Sequence, residues 1–166
     1  MDLNLKGKVV LITGSAGVRE SIGETILQAL AKEGAIPAIV DRNARGFGYA
    51  AELQKIGIDA SFFQTDVTEP DQIKAAVEGI VEKYGRIDAV INNVGVNDGV
   101  GLDASYEDFI HSLKLNLVSF YLVVKYALPH LKASKGNILN IGSKVGLTGQ
   151  GNTSGYAAAK GGVLGL

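Results

Sequence analysis

The sequence predicts an α/β domain, a doubly wound parallel sheet with helices on both faces. Three observations carry that prediction. Strand-like runs recur at residues 8–13, 35–40, 60–65, 87–91 and 137–141, and the first and fourth are apolar enough to be buried on both faces. The segments between them keep helical spacing, and alternation of this kind requires parallel strands joined by right-handed crossovers. The first run also passes through a glycine-rich turn into a capped helix start. At 166 residues, with 46% hydrophobic residues and 22 glycines, the chain is read as a single domain over residues 1–166 with a sizeable core.

The first strand, Lys8 to Thr13, ends in Gly14-Ser15-Ala16-Gly17, and Ser21 followed by Glu24 forms a capping box that starts a helix at Ile22 and carries it to about Lys32. Strand, glycine turn and helix N-terminus aim backbone N–H groups at an anion, the usual seat of a dinucleotide pyrophosphate. A flexible turn is the plainer alternative. The second strand runs from Ala35 to Val40 and ends in Asp41. An acid there can accept both hydroxyls of an adenosine ribose and repels a 2′-phosphate, which favours NAD over NADP. Arg19 and Arg42 are the cations that would reverse that preference. Pro37 lacks a ladder donor, so strand pairing is expected to begin after it.

Residues 45–56 read as a helix with Leu53 and Ile56 on one side. Ala60 to Thr65 is the third strand, and it ends at Asp66-Val67, where Asp66 either bonds an adenine amino group or caps the helix starting at Glu69-Pro70. That helix reaches Tyr84, with Ile73, Ala76, Val77, Ile80, Val81 and Tyr84 at helical spacing. The fourth strand begins at Ile87 and runs into Asn92-Asn93-Val94-Gly95. The longest helix is expected from Ser105 to about Leu131, with Leu113, Leu117, Phe120, Val124 and Leu128 as its buried stripe. Asn116 interrupts that stripe, either bonding backbone or holding a water near Lys160. The fifth strand, Asn137 to Ile141, ends just before Ser143.

Residues 143–160 carry the chemistry. In a helix that includes residue 156, Tyr156 and Lys160 lie four apart on one face. A phenol ordinarily titrates near pH 10, and a neighbouring ammonium favours its phenolate. Ser143, directly after a strand and thirteen residues before Tyr156, supplies a hydroxyl to hold a substrate oxygen. Tyr-x3-Lys also arises by chance, and Tyr121 to Lys125 is a second instance, read as packing because it lacks an upstream strand-end serine.

Composition excludes several classes. A formal net charge of −1 without a Lys/Arg block leaves no nucleic-acid footprint, and the absence of cysteine removes disulfides, thiol nucleophiles and thiolate metal sites. His111 and His130 have no ligand-like neighbours, so no metal is expected. Met1-Asp2-Leu3-Asn4-Leu5 has no basic leader and no apolar run approaches a membrane span, so a cytoplasmic protein without membrane partners is expected.

Taken together, the glycine turn, Asp41, Asp66-Val67, Asn92-Asn93-Val94-Gly95, Asn116, Ser143, Tyr156 and Lys160 resemble the short-chain dehydrogenase/reductase family, in its order and spacing, over the whole chain. The resemblance implies a Rossmann-type fold that binds NAD through Gly14, Ser21, Ile22, Gly23, Asp41, Arg42, Asp66, Val67, Asn93, Val94 and Gly95. It implies Tyr156 as acid/base, Ser143 as substrate holder, Lys160 as tuner of Tyr156 and holder of the nicotinamide ribose, and Asn116 as anchor of a relay water. The substrate would be a secondary alcohol or carbonyl, and the assembly a homo-oligomer, commonly a tetramer. Three departures stand out. Six residues separate Gly14 from Ser21, which takes the middle glycine's place, as in the enoyl reductase branch; that branch, however, needs a tyrosine where Thr153 stands. Val94 replaces a commoner alanine. Family members also continue beyond the position of Leu166, so the domain is expected to be incomplete at its C-terminus. The segment Gly95 to Asp103, with Asn97 and Asp98, resembles that of sugar dehydrogenases of the L-fucose type, a plain turn being the alternative. A non-catalytic dinucleotide-binding fragment and an enoyl thioester reductase are the competing functions.

Overall fold

The computed structural model describes residues 3–166, so the first two residues of the N-terminal segment read for a leader lie outside the described residues. Five parallel strands form one sheet in the order β3-β2-β1-β4-β5. They are β1 (Val9–Thr13), β2 (Ile36–Asp41), β3 (Ser61–Gln64), β4 (Ala89–Asn92) and β5 (Asn137–Asn140). Three crossover helices, α1 (Ile22–Lys32), α2 (Arg45–Lys55) and α3 (Pro70–Tyr84), connect the first four strands. Between β4 and β5 the chain forms α4 (Tyr106–Leu113), a π-helical turn (Lys114–Val118) and α5 (Ser119–Ser134), and α6 (Val145–Thr148) and α7 (Ser154–Gly165) follow β5. The doubly wound parallel fold is therefore present as expected.

Alternation along β1 divides the core. Val9 and Leu11 pack with α3 and α5 through Ile73, Val77, Ile80, Val123, Ala127 and Leu131, while Val10 and Ile12 face Leu30 of α1. The order reverses between β1 and β4. Chains leaving those two strands diverge to opposite faces, which opens a crevice at their carboxyl ends.

Several details differ from expectation. β2 begins at Ile36, ahead of Pro37, because Ile36 donates its N–H to the Lys8 carbonyl on the β1 side. Alternation turns the missing donor of Pro37 toward β3, whose pairing starts only at Ala38 opposite Ser61. Ile56 lies just beyond α2 and is 71% exposed, so Gly46 and Ala50 form the buried side of that helix, with Leu53 packed at its edge. The long helical segment buries Phe120 as expected, but with Ser112, Asn116, Ser119, Val123, Ala127 and Leu131 in place of Leu113, Leu117, Val124 and Leu128. At α4 that face is one residue out of phase with the larger apolar side chains, because small residues let α7 approach closely. A Cβ on Gly155 of α7 would meet the Ser112 Oγ at 2.8 Å. Asn116 thus belongs to the buried face. The pair Tyr121 and Lys125 is not core packing either: both are exposed, on a groove beside Ile138 and Asn140 of β5.

Candidate active site

The crevice is a cavity of about 560 Å³. Gly14, with φ 70°, turns the chain off β1 in a conformation that favours glycine. A Cβ there would meet the Val94 Cα at 2.8 Å, and one on Gly23 would meet the Asn93 Nδ2 at 2.5 Å and the Gly14 carbonyl oxygen at 2.6 Å. Asn93 links the two strand ends. Its Nδ2 donates to the Thr13 carbonyl (3.1 Å) and the Gly14 carbonyl (2.8 Å), and its N–H donates to the Thr13 Oγ1 (3.0 Å).

The Ser21 hydroxyl caps α1 by accepting the Glu24 N–H at 3.3 Å. The reciprocal half of the capping box is shifted by one residue, the Glu24 carboxylate accepting from the Glu20 N–H at 2.6 Å. The widened turn is what moves it: Glu20 has a positive φ, and the Arg45 guanidinium donates to the Gly17 carbonyl from the start of α2. The first-turn N–H groups of Ile22 and Gly23 have no partner within their own helix, and both residues line the cavity.

Asp41, 6% exposed, accepts the Ala16 N–H (2.8 Å) and the Asn43 N–H (2.9 Å), joining the glycine turn to the end of β2. Arg42, Asp66 and Val67 line the same end of the cavity, whereas Arg19 is exposed and off its wall. The Asp66 carboxylate accepts the Thr68 N–H (2.9 Å) and hydroxyl (2.7 Å), and that backbone bond holds its pKa below the ordinary value. Its expected capping of α3 does not occur, since Glu69 occupies the N-cap.

At the β5 end, Ser143, Tyr156 and Lys160 share the cavity wall with Val94 and Gly95. Tyr156 and Lys160 lie on α7, as their spacing predicts. Lys160 is 2% exposed, its Nζ donates to the Ile141 carbonyl at 2.7 Å, and burial pushes its pKa down to about 8. The Ser143 Oγ accepts the Val145 N–H at 3.3 Å. Asn116 is buried behind this wall: its Oδ1 accepts the Val96 N–H (2.8 Å), and its Nδ2 donates to the Val96 and Ser112 carbonyls (3.1 Å each). Backbone bonding is therefore what its amide does. Asn97 and Asp98 are exposed and do not line the cavity.

All the residues expected to hold a dinucleotide meet on one cavity. Sequence reasoning missed Gly17, Val18, Asn43, Thr65, Val96, Leu115, Ile141 and Gly142 on its wall, and Thr13 behind it. Most adjoin residues that were identified. Leu115 is reached only through the π-helical turn, for which the sequence carries no periodic signal.

Comparison with known proteins agrees with this geometry. The L-fucose dehydrogenase of Oryctolagus cuniculus is 39% identical over 162 residues, covering 96% of this chain and 55% of that protein. The 3-oxoacyl-(acyl-carrier-protein) reductase FabG of Thermotoga maritima is 34% identical over 167 residues, covering 99% of this chain and 67% of that protein. The crystal structure of NAD+-bound xylitol dehydrogenase superposes with a TM-score of 0.89 at 28% identity, covering 97% of this chain and 62% of that one. The chain spans 55% to 60% of the length of the curated L-fucose dehydrogenases it matches. The family profile described as short chain dehydrogenase matches residues 8–166, and with the parallel sheet, the glycine turn at its switch point and the Ser143, Tyr156 and Lys160 wall, the chain belongs to the short-chain dehydrogenase family.

Proposed function

We propose that the protein containing this chain is an NAD-dependent dehydrogenase that interconverts a secondary alcohol and its carbonyl, with a sugar or other polyol as the substrate class. One observation carries the reading: a single cavity has the glycine turn and Asp41 at its β2 end and Ser143, Tyr156 and Lys160 at its β5 end. The sugar assignment draws on the relatives named for L-fucose and xylitol.

The residues present fit a dinucleotide. Glycines at 14 and 23 leave room that side chains would fill, and the open α1 N-terminus suits a pyrophosphate. Asp41 keeps lone pairs for ribose hydroxyls beyond the two backbone N–H groups it accepts, and it disfavours a 2′-phosphate. Asp66 and Val67 flank the adenine, and Asn93, Val94 and Gly95 form the floor. When bound, the nicotinamide exchanges a hydride with the substrate carbon.

The chain's own residues handle the proton. Tyr156 Oη takes the proton of the substrate hydroxyl during oxidation and returns it during reduction. The Lys160 ammonium, one helical turn away, favours the phenolate and holds the nicotinamide ribose. The Ser143 hydroxyl donates to the substrate oxygen. A Cβ on Gly95 would meet Lys160 Nζ at 3.3 Å and Asn116 Oδ1 at 3.7 Å, so glycine at this position keeps the β4 end close to the ammonium.

Thr153 argues against enoyl thioester reduction, because it is buried and its hydroxyl donates to the Gln150 carbonyl at 2.9 Å instead of facing the cavity. The proposal includes a cytoplasmic homo-oligomer. Its test is turnover by the full-length protein with NAD and a panel of sugars and polyols. Tyr156→Phe should lower kcat at least a hundredfold; equal rates would sink the dehydrogenase assignment, and no turnover by the wild-type protein would leave a non-catalytic dinucleotide-binding module. Fluorescence titration should show NADH binding tighter than NADPH, and the opposite order would assign the cofactor to Arg42.

A further inference from the structure

We propose that Phe120 is a positioning residue for Lys160, its ring face holding the ammonium where Tyr156 and the nicotinamide ribose need it. This rests on the dehydrogenase reading above. Lys160 Nζ stands 4.9 Å from the centroid of the Phe120 ring, and the ring is buried. Cation and ring face at that separation attract, most strongly where water is excluded. A buried ammonium without compensation tends to neutralise, and a neutral Lys160 could not favour a phenolate.

The surroundings leave the ring as the main compensating group. An ammonium has three donors, and the Ile141 carbonyl takes one at 2.7 Å. On its own helix Lys160 faces Tyr156, whose ring centroid lies 5.8 Å from Nζ. Beyond β4 it meets Gly95, with the neutral Asn116 amide behind, while Gly146 of α6 lies against the Lys160 backbone. Beyond β5, Ser143 shares its cavity wall. With Tyr156 protonated none of these carries a formal charge, and among the described residues no carboxylate forms an ion pair with Nζ. A ring face offsets part of the cost of the charge without occupying a directed N–H, so two donors stay available to the cavity.

The ring is itself anchored. Asn92 is fully buried, and its Nδ2 donates both to the Phe120 carbonyl (3.4 Å) and to the Asn140 Oδ1 (2.9 Å). One amide thereby ties the residue under the ammonium to the end of β5, whose next carbonyl accepts from that same ammonium. Two supports of Lys160, on different elements, are held in register.

The test replaces Phe120 in the full-length protein by its 3,5-difluoro and pentafluoro analogues, which keep shape and burial while weakening the ring's negative face. A Phe120→Leu variant completes the series. The Lys160 ammonium is followed by NMR in 15N-lysine protein, its signal identified by its absence in Lys160→Met. Removing the ring face disfavours the charged form, so the midpoint should fall stepwise with fluorination, by about one pH unit at the end of the series. The alkaline limb of the kcat profile should move with it. A midpoint that stays constant across the fluorinated series overturns the proposal. If the midpoint moves but Tyr156→Phe turns over at the wild-type rate, the dehydrogenase reading fails instead, and the positioning role falls with it.

Discussion

Lys160 is held charged at neutral pH in a place that disfavours charge, and the consequence for stability has a definite sign. Its folded pKa is about 8 against an ordinary 10.5, through burial. Below about pH 8 both states bind the proton and the fold bears the full desolvation cost. Between about 8 and 10.5 the unfolded chain binds more protons than the fold, so stability rises with pH. The unfolding free energy of wild type minus that of Lys160→Leu should therefore increase by about 2 to 3 kcal/mol from pH 7 to pH 10, measured by urea denaturation. A flat difference would mean that the amine is solvated. Asp41 supports the glycine turn in addition to any contact with a ribose. Asp41→Ala leaves the buried N–H of Ala16 and the half-buried N–H of Asn43 without their acceptor and should cost about 1 to 3 kcal/mol. Asp41→Asn, which keeps one acceptor oxygen, should cost less in the same denaturation experiment.

At the scale of elements, the catalytic geometry depends on α6 lying directly against α7. A Cβ on Gly146 would meet the carbonyl carbon and oxygen of Lys160 at 2.6 Å, backbone atoms that cannot swing aside. Gly146→Ala should separate the two helices, destabilise the fold by about 1 to 3 kcal/mol and lower kcat more than it raises KM, because Ser143 and Tyr156 move apart. Thermal denaturation with steady-state kinetics on the full-length protein checks both halves, and an unchanged kcat would show that the helices adjust independently of the site. The segment from α4 through α5 shows where periodicity misleads. Its large apolar residues suggested one buried face, yet close approach of α7 placed Ser112 inside, and packing on α3 and the sheet placed Val123, Ala127 and Leu131 inside.

For the molecule as a whole, β5 is an edge strand with one partner, and Ile138 and Leu139 on its two faces are 42% and 49% exposed. Exposed apolar strand edges promote association. The 166-residue chain is expected to self-associate in sedimentation velocity, and Ile138→Lys should shift it toward monomer; a monomeric wild-type chain would refute this. The sequence by itself determined the order of the five strands, the parallel sheet, the extent of α3, the glycine turn, and the placing of Asp41 at the end of β2 and of Tyr156 and Lys160 one turn apart on a helix. Those features follow from local periodicity, capping and spacing, and are written in neighbouring residues. On the same signals the stretch holding α6 reads as a loop and the segment from α4 to α5 as one helix. Only the tertiary structure decided that Asn116 spends its amide on Val96 and Ser112, that the missing donor of Pro37 falls where no ladder has begun, and that Phe120 lies under Lys160. Apart from the Asn116 to Ser112 bond within one turn, these depend on contacts between residues 20 to 40 positions apart, and on which face of an element its neighbours can approach. Packing settles that face, and hydrophobic spacing along one segment does not record it.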